Sequence, residues 1–328
     1  RPPLIIAEMS GNHNQSLDRA LLIVDAAAAA GAHAIKLQTY TADTMTLDLK
    51  GGEFFINDPK SLWKGQAMHD LYKLAYTPWE WHEPIMKHAK SKNLLCFSSP
   101  FDESAIDFLE TLNVPAYKIA SFECIDLPLI KKAASTKKPL IISTGMASIA
   151  EISEAVDAAR SSGCQNLVLL KCTSTYPASP ENTNLRTIAH MRDLFACDVG
   201  LSDHTLGIGA AVASVAVGAT VIEKHFTLSR SDGGVDSAFS LEPHEMTSLV
   251  NETERAYQAL GKIRYGATEA EKQSRSERRS LYIGENMKAG EILTSKNLRR
   301  IRPGKGLLPK YYDMLLGKQV KFDVSKGT

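Results

Sequence analysis

Residues 198–227 read DVGLSDHTLGIGAAVASVAVGATVIEKHFT, and this stretch carries the plan of the whole chain. DVGLSDH is a short β-prone run that ends in Ser202, Asp203 and His204. GIGAAVASVAVGA follows, with small apolar residues at helical spacing. VIEKHFT then repeats the first run, apolar at its start and polar at Glu223, Lys224 and His225. Strands joined through a helix pair in parallel, so both histidines are expected at one end of one sheet, on adjacent strands. Two imidazoles placed in this way suit a shared divalent ion with positions left open for substrate. Each could equally hydrogen-bond at its own strand end.

Working outward, the same plan recurs. Further β-like runs are LIIAEM (4–9), AIKLQTY (34–40), LLCFSSP (94–100), AYKIAS (116–121), PLIISTG (139–145) and LVLLKCTSTY (167–176), which makes eight with the two above. Helix-like stretches separate them: LDRALLIVDAAAAAGAH, ESAIDFLETLN, IAEISEAVDAARSSG and NLRTIAHMRDLF. Eight β/α alternations point to a (β/α)₈ TIM barrel of the usual length, about 250 residues, closed outside by EPHEMTSLVNETERAYQALG. Residues 41–70 form a connection too long for a simple turn, and they leave the strand end where such barrels place their sites. They are therefore read as a partial wall or lid.

After residue 264 the texture changes. Residues 265–279 are polar and charged and read as a linker, and 280–328 are short-stranded and turn-rich, a small β-rich second domain. It carries a faint repeat, MKAGEIL (287–293) and VSKGT (324–328). At under 70 residues it is expected to lean on another surface. The chain opens on Arg1 without a signal-peptide pattern and stops abruptly at Thr328, so further residues are expected at both ends.

The 328 residues are 44% hydrophobic and 23% charged with a net charge of +1, an ordinary globular balance. That balance excludes a nucleic-acid or anionic-membrane partner, and no apolar run is long enough to span a bilayer. Five cysteines without CxxC spacing indicate neither a zinc site nor a disulfide framework; Cys96, Cys172 and Cys197, in or beside strand-like runs, read as buried thiols, and a reducing cytoplasm fits.

Every strand begins apolar and ends polar. Glu8, Lys36, Gln38, Ser99, Lys118, Ser121, Glu123, Ser143, Lys171, Ser174, Tyr176, Ser202 and Lys224 join the two histidines at or just after these ends. Lysines and hydroxyls at one barrel mouth make a receptor for a small polyanion such as a phosphate ester bearing a carboxylate. Glu8 and Glu123 are candidate proton carriers. The alternative is that Lys36, Lys118, Lys171 and Lys224 pair with Glu8, Glu123, Asp203 and Glu223 in a salt-bridge network.

The motifs AEMSGNHNQSLDRA, AIKLQTY, FSSPFD, YKIASFE, ISTGMAS, LKCTSTYP, GLSDHT and VIEKHFTL together resemble the sialic acid synthase family, enzymes that condense phosphoenolpyruvate with an amino sugar. RRSLY…MKAGEIL…RRIRPGKG resembles that family's C-terminal antifreeze-like (SAF) domain. CTSTYP and DGGVDSAFSLEP are most similar to the pseudaminic acid branch, and the N-acetylneuraminate branch usually has Asn where Ser174 stands. The resemblance implies Mn²⁺ or Mg²⁺ on His204 and His225. It implies phosphoenolpyruvate on Lys36, Ser99, Lys118, Ser121, Ser143, Ser174 and Ser202. The sugar, a 2,4-diacetamido-2,4,6-trideoxyhexose, would meet Gln38, Glu123, Tyr176 and Asp236. Arg302 would reach the sugar from the partner subunit of a domain-swapped homodimer. Glu8 and Glu123, with the two histidines, would carry the chemistry. Two other classes compete with this reading. One is an aldolase forming a Schiff base at Lys118 or Lys171, and the other a glycan-binding protein without catalysis.

Overall fold

The computed structural model describes all 328 residues, Arg1–Thr328. They divide into two compact units, Arg1–Gly261 and Lys262–Thr328.

The first unit is a closed barrel of eight parallel strands: β1 (Leu4–Glu8), β2 (Ala34–Thr39), β3 (Leu95–Pro100), β4 (Tyr117–Ile119), β5 (Leu140–Ser143), β6 (Leu167–Cys172), β7 (Asp198–Asp203) and β8 (Val221–His225). They neighbour one another in sequence order, and β8 returns to β1 to close the ring. The TIM-barrel expectation is met. Each helix turns an apolar stripe inward. Leu17–Ala29, for example, is capped by Ser16 and buries Ala20, Ile23, Val24 and Ala27 against the strands.

Because side chains alternate along a strand, each strand serves two cores. The outward-facing residues join the helices in one large apolar layer that includes Ile5, Ile35, Leu169, Leu201 and Ile222. Inward, Ile6, Ala34, Phe97, Ile141, Leu170 and Val221 form a separate apolar plug. The level above the plug is polar, and it is the floor of the site. Gly200 belongs to the plug level: a Cβ there would lie 2.0 Å from Val221 O and 2.8 Å from Leu170 Cδ2, so only glycine lets β7 and β8 close over Leu170.

The 41–75 segment holds more order than its sequence announced. It contains short helices at Ala42–Met45 and Met68–Ala75, which the apolar periodicity did not reveal, and the next helix, Trp79–Ser91, was also missed. Trp79–Ser91 carries Pro84 within it, which breaks the usual helical pattern.

The second unit pairs β9 (Ser280–Ile283) antiparallel with β10 (Leu298–Ile301). Its core is Leu281, Met287, Leu293 and Leu298. The two halves of the faint repeat meet here, for Met287 bridges Val324 in antiparallel register. In the 265–279 stretch, Gln273–Glu277 forms a 3₁₀ turn, and Ser276 O accepts a hydrogen bond from Gly304 N at 2.7 Å.

Candidate active site

The polar ends of the strands open into a cavity of about 650 Å³ at the C-terminal mouth of the barrel. Its floor is a quartet of buried charges just above the apolar plug. Lys36 Nζ lies 2.7 Å from Glu8 Oε2 and 3.9 Å from Glu223 Oε2, and it donates to Ser99 Oγ at 3.0 Å. Lys118 Nζ donates to Glu223 Oε1 at 3.0 Å, and Ser202 Oγ donates to the same oxygen at 3.1 Å. Gln38 Nε2 donates to Glu8 Oε1 at 2.9 Å.

The two carboxylates differ in character. Burial pushes Glu8 well above the ordinary carboxylate range, and Lys36 only partly offsets it. Burial opposes ionisation of Glu223 as well, but there Lys118 and Lys36 together outweigh it and hold the group low. Burial lowers Lys118 from the ordinary lysine range, while Glu223 and Glu8 raise Lys36 against burial. Both lysines are held by partners that an incoming anion can replace.

Above the floor, β7 and β8 deliver the two histidines. Their ring centroids are 5.3 Å apart. His204 Nδ1 lies 2.9 Å from Thr173 O; a carbonyl only accepts, so Nδ1 carries a hydrogen, and in the neutral ring Nε2 holds the lone pair. Burial, with the nearby charge of Lys36, holds His225 well below the ordinary histidine range, so it is neutral. Its Nδ1 is buried without a hydrogen-bond partner, 3.7 Å from Asp236 Oδ2. Asp236 Oδ2 accepts a short hydrogen bond from Ser10 Oγ. Two imidazoles with free ring nitrogens, one of them orphaned in a buried site, fit a divalent cation. No third carboxylate, thiol or imidazole stands close enough to both rings to complete a triad. Three-group clusters of that kind occur only at Asp48/His69/Asp70 and Glu242/His244/Glu245.

One wall is made by β4 and its continuation. Glu123 is pushed up to about 7, first by burial and then by Asp126, against the pull of Lys118 and Lys36, and its Oε2 is buried without a partner. Ser121 Oγ and Ser174 Oγ lie 2.8 Å apart. Gly145 adjoins them at φ +49°, where a Cβ would fall 2.6 Å from Ser121 Cβ, so glycine keeps this corner open. Tyr176 packs on His204 at 4.6 Å between ring centroids. The opposite wall comes from the 41–75 segment and is largely apolar, with Met45, Ile56, Trp63, Met68, Leu71 and Tyr72.

Most of the residues singled out from sequence meet in this cavity: Glu8, Lys36, Gln38, Lys118, Ser121, Glu123, Ser143, Tyr176, Ser202, His204, His225 and Asp236 all line it. Ser99 and Ser174 stand one step behind, each bonded to a lining residue, Lys36 and Ser121. Arg302 is exposed and belongs to the second unit.

The polar rim needs one correction. Lys171 and Lys224 were counted with the cations of the mouth, but they alternate with inward residues and so face the helical layer. Lys171 Nζ donates to Cys172 O at 2.7 Å. Lys224 Nζ donates to Asp203 Oδ2 at 2.9 Å and to two loop carbonyls. The salt-bridge network posed as an alternative to a polyanion receptor exists in part and coexists with the cavity. Cys172, Ser10, Tyr40, Phe101 and Glu223 also line the site without having been assigned to it. Glu223 and Cys172 left a sequence signal, each two residues before an assigned residue, His225 and Ser174, and so on the same face.

Comparison with known proteins gives this geometry its relatives. The NeuB family model matches residues 23–265, and the SAF domain model matches residues 278–328. The chain belongs to the NeuB family. It is 43% identical over 323 residues to the pseudaminic acid synthase of Campylobacter jejuni, covering 98% of this chain and 94% of that one. It is 37% identical over 323 residues to the N,N'-diacetyllegionaminic acid synthase of the same organism, covering 96% and 95%. Among solved structures, the N-acetylneuraminic acid synthetase of Leptospira borgpetersenii in complex with citrate is similar at 33% identity and a TM-score of 0.74, over 84% of this chain and 90% of that one.

Proposed function

We propose that this chain is a pseudaminic acid synthase. It joins phosphoenolpyruvate to 2,4-diacetamido-2,4,6-trideoxy-L-altrose and releases phosphate. The observation that carries the reading is the buried Glu8–Lys36–Glu223–Lys118 floor lying beneath two neighbouring imidazoles. Anion receptor and electrophile site share one cavity, and the similarity to a pseudaminic acid synthase is higher than to a legionaminic acid synthase, 43% against 37%.

In this reading Lys36 and Lys118, with Ser99, Ser121, Ser143, Ser174 and Ser202 around them, hold the phosphate and carboxylate of phosphoenolpyruvate. Gln38, Glu123, Tyr176 and Asp236 face the sugar in its open-chain form. His204 and His225 would hold a divalent ion, Mn²⁺ or Mg²⁺, which would supply Lewis acidity toward an aldehyde. C3 of phosphoenolpyruvate forms the new C–C bond to the aldehyde carbon. Water adds to C2, and phosphate departs with cleavage of its C–O bond. Glu123 and Glu8 exchange the protons, since burial has brought both close to neutral pH, where a carboxyl can give and take one. The lysines stabilise the charge that builds on the leaving phosphate. Arg302 serves the active site of a partner subunit in a domain-swapped homodimer. We assign the enzyme to the cytoplasm, a reading that rests on five unpaired cysteines and on the absence of any helix long and apolar enough to cross a membrane.

Phosphate release is the test, with Mn²⁺, phosphoenolpyruvate and each of three sugars: the L-altro diacetamido sugar, the legionaminate precursor and N-acetylmannosamine. Turnover is expected with the first. Preferential turnover of either other sugar would reassign the substrate, and chelator-resistant activity trapped by borohydride would favour a Schiff base on Lys118.

A further inference from the structure

A second constellation lies on the segment that bounds the cavity and takes no part in the chemistry above. His69, in the first turn of the helix Met68–Ala75, is 1% exposed. Its Nε2 is 2.8 Å from Asp43 Oδ1. A carboxylate only accepts, so Nε2 carries a hydrogen, and in the neutral ring Nδ1 presents a lone pair. Nδ1 is buried and has no hydrogen-bond partner. The group it faces is Asp48 Oδ1 at 3.5 Å. A lone pair and a carboxylate repel across such a gap unless a proton or a metal ion lies between them. Asp70 supplies a second carboxylate, and the three ligand atoms all lie within 4.8 Å of one another.

The pair of aspartates already draws in one positive charge. Lys50 Nζ lies 3.0 Å from Asp48 Oδ1 and 2.5 Å from Asp70 Oδ1. That side chain is 57% exposed and can swing aside. It also stops short of satisfying the imidazole.

We propose that His69, Asp48 and Asp70 bind a divalent transition-metal ion of the Zn²⁺ class, with Asp43 orienting the imidazole, and that this ion clips together the two ends of the segment bounding the cavity. The pattern is that of a metal-bound histidine whose second nitrogen donates to a carboxylate. Bonds of about 2.0–2.1 Å at tetrahedral angles put ligand atoms roughly 3.3 Å apart, close to the observed separation of Nδ1 and Asp48. An imidazole in the set selects against Mg²⁺ and Ca²⁺, and water completes the shell.

The clip would do more than add stability. Between its ends lie Ile56, Asp58, Ser61 and Trp63, all of which line the cavity. Joining Asp48 to His69 closes a loop over them and removes much of the conformational freedom of that wall. The site is independent of His204 and His225, so it stands or falls apart from the proposed reaction.

The test measures bound metal rather than activity. The full chain is stripped with chelator, dialysed against low-micromolar Zn²⁺ and analysed for metal content. A His204→Ala/His225→Ala variant is expected to retain one equivalent. Adding His69→Ala or Asp70→Asn should remove it, and Asp43→Asn should weaken it about 10–100-fold. Because His69 is buried, the half-exposed Asp48→Asn and Asp70→Asn carry the test if His69→Ala fails to fold. As a second readout, Zn²⁺ should slow tryptic cleavage after Lys60 and Lys64 in the otherwise wild-type chain and not in Asp70→Asn. No equivalent in the double-histidine variant, or an equivalent that persists in Asp48→Asn and Asp70→Asn alike, overturns the proposal.

Discussion

Replacing Glu123 by Gln separates stability from catalysis in a direction that depends on pH. The folded carboxyl titrates at about 7, against an ordinary 4.5. A raised folded value means that folding favours the protonated form. Between pH 4.5 and 7 the unfolded chain has already lost this proton while the folded chain still holds it, so the contribution of Glu123 to stability falls as pH rises through that window and stays low above it. At about 1.4 kcal/mol per pH unit the gap is worth roughly 3 kcal/mol. Glu123 is only partly buried and meets solvent in the cavity, which screens it, so a change of about 1–2 kcal/mol between pH 5 and pH 8 is expected. Gln has nearly the same shape and no charge at either pH. The variant should therefore gain on the wild type by that amount as pH rises. Glu8, also raised, is present in both proteins and cancels in the difference. Urea denaturation followed by tryptophan fluorescence reads the effect cleanly, because Trp63, Trp79 and Trp81 all lie in the barrel unit. Over the same range phosphate release should fall about 10²–10⁴-fold if Glu123 moves a proton. A stability difference that does not change between pH 5 and pH 8 would refute the argument that burial sets the titration of Glu123.

Three further outcomes follow from the same geometry. His204→Ala should abolish phosphate release and leave the barrel's tryptophan emission native; retained turnover would remove the imidazole from the metal site. Arg302→Ala should raise the sugar KM with little change in kcat. An equimolar mixture with His204→Ala, after subunit exchange, should regain about a quarter of wild-type activity at low sugar if each site borrows its arginine from the partner, and none if it does not. Gly200→Ala should cost at least about 3 kcal/mol or prevent folding, since its Cβ would press within 2.0 Å of Val221 O; a urea midpoint within error of wild type would show that β7 and β8 can part to admit it.

The eightfold alternation of strand and helix is a local property, written in the spacing of apolar residues and the caps between them, so the barrel could be read without knowing any contact. The pairing of His204 with His225 was legible for the same reason: one β/α/β unit joins their strands, and parallel pairing puts both at one end. Less visible was which polar residues share a face. Alternation along β6 and β8 sends Lys171 and Lys224 outward while Cys172, Glu223 and His225 point in, and the inward set is fixed only when all eight strands close. The helices of the 41–75 wall were hidden because they are short and gain their order from what they pack against. Neither the raised titration of Glu8 and Glu123 nor the lowered one of Glu223 is a property of those residues as letters. Burial and the nearness of Lys36 and Lys118 produce it, and both arise from strands far apart in the chain. Local periodicity thus determined the architecture and the end of the barrel where chemistry occurs. Tertiary closure alone decided which charges meet there, because Coulomb and desolvation energies depend on distances in space that sequence separation does not measure.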